Sequence, residues 1–126
     1  MKLSARYGLV AIGALATLSV VHWSRDHLAA IGPTARFVIG VLPNLAASIA
    51  IPAVILGIRA DQNPPLTRDR ARVWVWLSLA AAGCGLVVWE FVQLTSRKLV
   101  FDVYDLFATA AGLVIAAVTF QVINRR

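Results

Sequence analysis

The run FVIGVLPNLAASIAIPAVILGI, residues 37–58, contains no charged side chain. A transmembrane helix needs about 20 predominantly apolar residues, so this run is long enough to cross a bilayer. Inside lipid every backbone N–H and C=O has to be paired within the segment, which makes a helix the expected structure. The run therefore predicts an integral membrane protein.

Three more apolar stretches accompany this run. Of the 126 residues, 60% are hydrophobic and 14% are charged, whereas soluble domains have about 45–50% apolar and about 25% charged residues. A chain of this length cannot hide so much apolar surface from water, so part of its solvent has to be lipid. We predict an all-α fold, a four-transmembrane-helix bundle in a single domain of residues 1–126, with helices at roughly 7–23, 35–58, 73–94 and 103–123.

The basic residues predict the orientation of this bundle. In a four-span threading, eight lie on the side of the termini and the 59–72 loop, and four lie on the other side. Cytoplasmic loops carry the excess of Lys and Arg, so both termini are expected in the cytoplasm. Topology and contact with anionic lipid explain the net charge of +6 without nucleic acid. The aromatic residues expected at the inner interface are Tyr7, Trp74 and Trp76, and those expected at the outer one are Trp23, Trp89 and Tyr104.

The first span and the lone cysteine have simple interpretations. Lys2 and Arg6 before an apolar run resemble the start of a signal peptide, but no small-residue cleavage site follows. We therefore expect an uncleaved anchor. Cys84 lies within the third span and is expected to pack as a small residue.

Polar side chains collect where the third span ends and the fourth begins. Glu90, Gln93 and Arg97 follow an i, i+3, i+7 spacing, which keeps them within about 60° of one another on a helix. The same spacing on the next helix links the three residues Asp102, Asp105 and Thr109. Helices joined by a short loop are antiparallel neighbours, so the two polar faces are expected to meet.

The second helix is expected to add to this cluster. Pro43 and Pro52 each remove a backbone donor and free a carbonyl. Asn44 follows the first proline at about the depth of Glu90, where an Asn needs a hydrogen bond from a neighbouring helix. The sequence thus predicts one outward-facing polar pocket; its residues are His22, Asn44, Glu90, Gln93, Arg97, Asp102 and Asp105.

Each member also has a purely structural explanation. Asp102 and Asp105 suit the N-terminus of a helix, where acidic groups cap free N–H groups. Arg97 and Lys98 suit an interface anchor, and Asn44 suits packing alone. Glu90 is the hardest to explain in this way, its structural alternative being an ion pair with Arg97.

The stretch from Glu90 to Gly112 resembles the C-terminal part of the VanZ-like membrane proteins. Glu90 and Gln93 match that family's Glu and Gln, Asp102 and Asp105 match its Asp pair, and Gly112 matches its Gly. Thr109 replaces the usual Asn, and Arg97 comes a couple of residues early. The resemblance implies a small polytopic protein of a bacterial plasma membrane and leaves its biochemical activity open.

Three functions fit these observations. The first is an envelope-associated accessory protein that binds a lipid or glycolipid at Glu90, Gln93, Arg97, Asp102, Asp105, Asn44 and Thr109. The second is a small transporter or membrane-complex subunit, with a second copy or another membrane protein as partner. The third is an enzyme acting on a lipid-linked phosphate. Because no nucleophile motif, HExxH or phosphate-binding Gly loop is present, we expect no catalytic residue, metal or cofactor.

Overall fold

The computed structural model describes residues 1–27, 32–62, 67–95 and 101–125. The regular structure of these residues is helical throughout; the helices are α1 (Leu3–His27), α2 (Pro33–Asp61), α3 (Arg68–Gln93) and α4 (Val103–Arg125). All four are long and apolar enough to cross a membrane. The predicted all-α chain with four potential transmembrane helices is confirmed.

The helices extend past the predicted spans because their polar ends are also helical. α2 has 29 residues, which at about 1.5 Å per residue makes it longer than the roughly 30 Å hydrocarbon core of a bilayer. α3 begins after Thr67, whose side chain accepts a hydrogen bond from Arg70 N at 3.5 Å. Asp69 adds a negative charge in the first turn, where the helix dipole favours it.

α2 is the central helix of the bundle. It packs against α1, α3 and α4, whereas α1 and α3 do not contact each other within the described residues. α2 and α4 begin at the end of the bundle where α1 and α3 finish. We call this the Glu90 end, and the opposite end, which holds the N-terminus, the Tyr7 end.

The apolar core lies towards the Tyr7 end. Tyr7 and Phe120 are fully buried and meet edge to face, with ring centroids 5.5 Å apart. The Tyr7 hydroxyl donates a hydrogen bond to Asn124 Oδ1 at 2.7 Å. The structure thus places Tyr7 between helices and not on a lipid-facing aromatic belt, because its hydroxyl finds a partner on α4.

Small residues bring α4 close to α2. A Cβ added at Gly112 would overlap the Ser48 hydroxyl and lie 2.6 Å from Leu45 O. Gly112 thus contacts α2. Contact between α3 and α4 at Gly83 is looser, since a Cβ there would meet only Leu113 Cδ1, at 3.0 Å.

Arg25 compensates for the first proline of α2. Pro43 has no N–H, so the carbonyl of Ile39, four residues earlier, loses its helical donor. The Arg25 guanidinium, at the end of α1, donates to Ile39 O at 2.9 Å and to Gly40 O at 3.0 Å. α2 is helical through Pro43, and Asn44 follows it within the same helix.

The outside of the bundle is apolar. Large hydrophobic side chains are exposed on every helix, among them Ile12, Ile58, Trp76, Phe107 and Val118. Exposed apolar area of this extent suits contact with lipid. Four of the predicted belt residues are exposed as a belt requires; they are Trp23, Trp76, Trp89 and Tyr104.

Candidate functional site

Glu90 is a carboxylate buried between helices. Its side chain is only 1% exposed, and its Oε1 accepts a hydrogen bond from Asn44 Nδ2 at 3.1 Å. Its other oxygen, Oε2, is buried and has no partner among the described residues. The structure thus joins the two residues that the sequence places at one depth, and it leaves half of the carboxylate unpaired.

α4 contributes two more oxygen-bearing side chains beside this pair. The Asp105 carboxylate lies close to the Asn44 amide and within electrostatic range of Glu90. Thr109 is one turn further along α4, and its hydroxyl is buried without a partner in the described part of the chain. Three helices therefore converge on one polar cluster, which we call the Glu90 cluster: Asn44, Glu90, Asp105 and Thr109.

Asp102 caps α4. Its Oδ1 accepts a hydrogen bond from Tyr104 N at 2.9 Å, and its carbonyl accepts one from Asp105 N at 3.1 Å. The predicted capping contact is thus confirmed for Asp102. Asp105 lies in the first turn of α4, where the helix dipole favours a negative charge.

Two shallow grooves open near the Glu90 end. The Arg36 groove, about 410 Å³, lies between α2 and α4; its lining residues are Pro33, Arg36, Phe37, Gly40, Val41 and Asp102. The His22 groove, about 600 Å³, lies between α1 and α2, and its lining residues include His22, Arg25, Asp26 and Pro43. Neither groove is lined by Glu90, which is enclosed between the helices.

The predicted single pocket is therefore divided. His22 belongs to the α1–α2 groove, while Asp102 belongs to the α2–α4 groove. Gln93 is half-buried at the last residue of α3. The predicted ion pair between Glu90 and Arg97 involves a residue outside the described ranges.

Two arginines near the site were not singled out by sequence reasoning. Arg36 lines the α2–α4 groove, and its signal is the four-residue spacing that places Arg36, Gly40 and Asn44 along one side of α2. Arg25 pairs the freed carbonyl of Ile39. Its signal is Pro43 itself, because a carbonyl of a membrane span that lacks its helical N–H needs another donor.

The chemistry available at the Glu90 cluster is that of oxygen acceptors. It combines two carboxylates with an amide and a hydroxyl, and it contains no thiol or imidazole. No group of three or more His, Cys, Asp or Glu side chains that could hold a metal ion occurs in the described ranges. The cluster can accept hydrogen bonds or positive charge.

No protein-family model matches this chain, and neither does a curated protein or a solved structure. The resemblance to the VanZ-like proteins thus has no support beyond the residues of the Glu90–Gly112 stretch. Membership of that family is a hypothesis.

Proposed function

We propose that this chain is a multi-pass protein of a bacterial plasma membrane that binds an envelope lipid or glycolipid at the Glu90 end. In this proposal it is an accessory protein of the VanZ-like type, and both termini lie in the cytoplasm. The excess of basic residues around the termini and the 59–72 loop supports that orientation. The Glu90 end then faces outward, where envelope lipids and glycolipids present their headgroups.

The Arg36 groove is the observation that carries this proposal. It combines a cation and an anion, Arg36 and Asp102, with the apolar side chains of Phe37 and Val41. The Phe37 ring also packs edge to face on Tyr104, 5.2 Å between centroids, which ties α2 to α4 beside the groove. Guanidinium groups bind phosphate, and carboxylates accept hydrogen bonds from sugar hydroxyls. An amphipathic groove at a helix end suits a lipid whose headgroup lies in the groove and whose acyl chains lie along the bundle.

The Glu90 cluster lies about one helical turn beyond the groove residues on α2 and α4. Asn44 lies one turn beyond Gly40 on α2, and its hydrogen bond to Glu90 ties this part of α2 to α3. Asp105 follows Asp102 at one turn on α4. In the proposal, Glu90, Asn44 and Asp105 fix the relative positions of the helices beside the groove, and the groove residues hold the ligand.

Lipid copurification tests this proposal. The wild-type protein, Arg36→Gln, Glu90→Ala and the control Arg72→Gln are purified in mild detergent, and their bound lipids are identified by mass spectrometry. Arg72 is an exposed arginine at the opposite end of the bundle. We expect one lipid class to be enriched with wild type and Arg72→Gln and reduced about tenfold in the other two, as loss of a charged hydrogen bond predicts. Equal lipid profiles in all four proteins would contradict the proposal.

A small transporter or membrane-complex subunit is the second candidate. One observation favours it: Glu90, on a helix long and apolar enough to span a membrane, has a buried Oε2 that no described residue pairs with. Ionisable groups inside spans often belong to ion or proton paths. Proteoliposomes that show Glu90-dependent ion flux, with no lipid retained by the purified protein, would favour this candidate over lipid binding.

A further inference from the structure

Two buried oxygens of the Glu90 cluster have no hydrogen-bond partner. They are Glu90 Oε2 and Thr109 Oγ1, and no other described residue pairs with either. The exposed fraction of the side chain is 1% for Glu90 and 3% for Thr109, so both are more than nine-tenths buried. Buried polar atoms are almost always paired, and an isolated buried carboxylate is especially costly. Within the described residues, therefore, both oxygens are open to a bound group.

The packing of α4 on α2 puts Thr109 level with Asn44. Gly112 lies against Ser48, and the two helices run in the same direction. Asn44 is four residues from Ser48 and Thr109 is three from Gly112, so their heights differ by only about 1.5 Å. Asp105 follows one turn nearer the Glu90 end.

The packing of α3 on α4 places Glu90 at a similar height along the bundle axis. Gly83 faces Leu113, and Glu90 is seven residues further along α3, about 10.5 Å at the helical rise. Because α4 runs the opposite way, this height falls between Asp105 and Thr109. The Glu90 carboxylate is held there by Asn44 Nδ2, which leaves Asn44 Oδ1 as a further acceptor.

We propose that the Glu90 cluster binds an alkali-metal cation. Oxygen atoms of Glu90, Asp105, Asn44 and Thr109 are the ligands, since hard cations select carboxylate, amide and hydroxyl oxygens. The bound cation supplies the positive charge that the Glu90 carboxylate lacks within the described residues. A bare ion also fits the burial of Oε2, where a lipid headgroup has no access. Mg²⁺ is disfavoured because it keeps several waters.

This inference goes beyond lipid binding and does not depend on it. The cation is enclosed between α2, α3 and α4, whereas the lipid headgroup is assigned to the Arg36 groove. Arg36→Gln is therefore expected to reduce lipid retention and to leave the response to cations unchanged. The two proposals can fail separately.

Thermal unfolding of the purified full chain in detergent tests the cation site. Melting curves are recorded at neutral pH and constant ionic strength in sodium, potassium, calcium and choline chloride. We expect Tm to rise saturably with Na⁺ or K⁺ relative to choline, by about 4 °C at ten times the dissociation constant. Equal Tm in alkali and choline chloride, or a response to calcium alone, overturns the proposal.

Variants assign the response to the cluster. Glu90→Gln keeps the shape of the side chain and is expected to lose the alkali response. Asp26→Asn, an exposed acid on the last turn of α1, is expected to keep it. A normal response in Glu90→Gln overturns the proposal. If Glu90→Gln does not fold, the pair Thr109→Ser and Thr109→Val decides, since only Ser keeps the ligand hydroxyl. Equal responses in that pair overturn it.

Discussion

Asn44 and Glu90 are joined by a hydrogen bond between α2 and α3, with Nδ2 of the amide 3.1 Å from Oε1 of the carboxylate. The bond lies directly after Pro43, where α2 keeps its helical course because Arg25 supplies the donor for Ile39 O. The second oxygen of the same Glu90 carboxylate is buried and has no partner in the described part of the chain. One interhelical bond thus fixes the geometry of the polar cluster, and the first predictions concern its energy.

A double-mutant cycle on Asn44→Ala and Glu90→Ala measures this bond, because each substitution removes one of its two partners. We expect Asn44→Ala alone to destabilise the protein by about 1–2 kcal/mol, because Glu90 Oε1 is left without its donor. Coupling energies between polar pairs in membrane helices average about 0.6 kcal/mol and reach about 1.7 kcal/mol, and we expect a value in the upper part of this range. Reversible unfolding in mixed detergent supplies the four free energies. Additive effects of the two substitutions would contradict the pairing.

Gly112→Ala is expected to separate α4 from α2. The added methyl overlaps the Ser48 hydroxyl and approaches Leu45 O, and overpacking of this kind costs about 1–3 kcal/mol. Gly85→Ala is the matched control, since a Cβ at Gly85 meets nothing within 4 Å. Free energies of unfolding should fall for Gly112→Ala and stay level or rise for Gly85→Ala. Equal effects would show that the α2–α4 contact is not close.

Arg25 and Pro43 are expected to be coupled. Arg25→Ala leaves the Ile39 carbonyl without a donor and should cost about 0.5–1.5 kcal/mol of unfolding free energy, because the bond is exposed. In a Pro43→Ala background the new backbone N–H serves that carbonyl, so the same substitution should cost less than half as much. Unfolding free energies of the wild type, both single variants and the double variant test this. An unchanged cost of Arg25→Ala in the two backgrounds would refute the compensation.

The four helices follow from the sequence, whereas much of their pairing does not. The uncharged run 37–58 leaves a helix as the expected structure in lipid, and the shared depth of Asn44 and Glu90 follows from counting residues. The partner of Gly112 is not predictable in this way, because residues 110–118 of α4 are apolar on all sides and their pattern selects no face. The position of Tyr7 between helices is not predictable either, because its acceptor, Asn124, is 117 residues away along the chain.

Thiol labelling tests the predicted orientation. In a Cys84→Ala background, single cysteines replace Asp26, at the Glu90 end, and Gln62, at the Tyr7 end; both positions are exposed. With both termini in the cytoplasm, an impermeant maleimide should label position 26 in intact cells and position 62 only after lysis. The reverse pattern would place the Glu90 end in the cytoplasm and exclude outward-facing lipids as ligands.

Photocrosslinking at the Arg36 groove tests the central claim most directly. A benzophenone amino acid replaces Phe37, which lines the groove, or Trp76, which is exposed elsewhere on the bundle. After irradiation in native membranes, adducts are identified by mass spectrometry. Lipid binding at the groove predicts one dominant phospholipid or glycolipid adduct at position 37, lost with Glu90→Ala, and a mixture of bulk lipids at position 76. The same bulk mixture at both positions would contradict the proposed function.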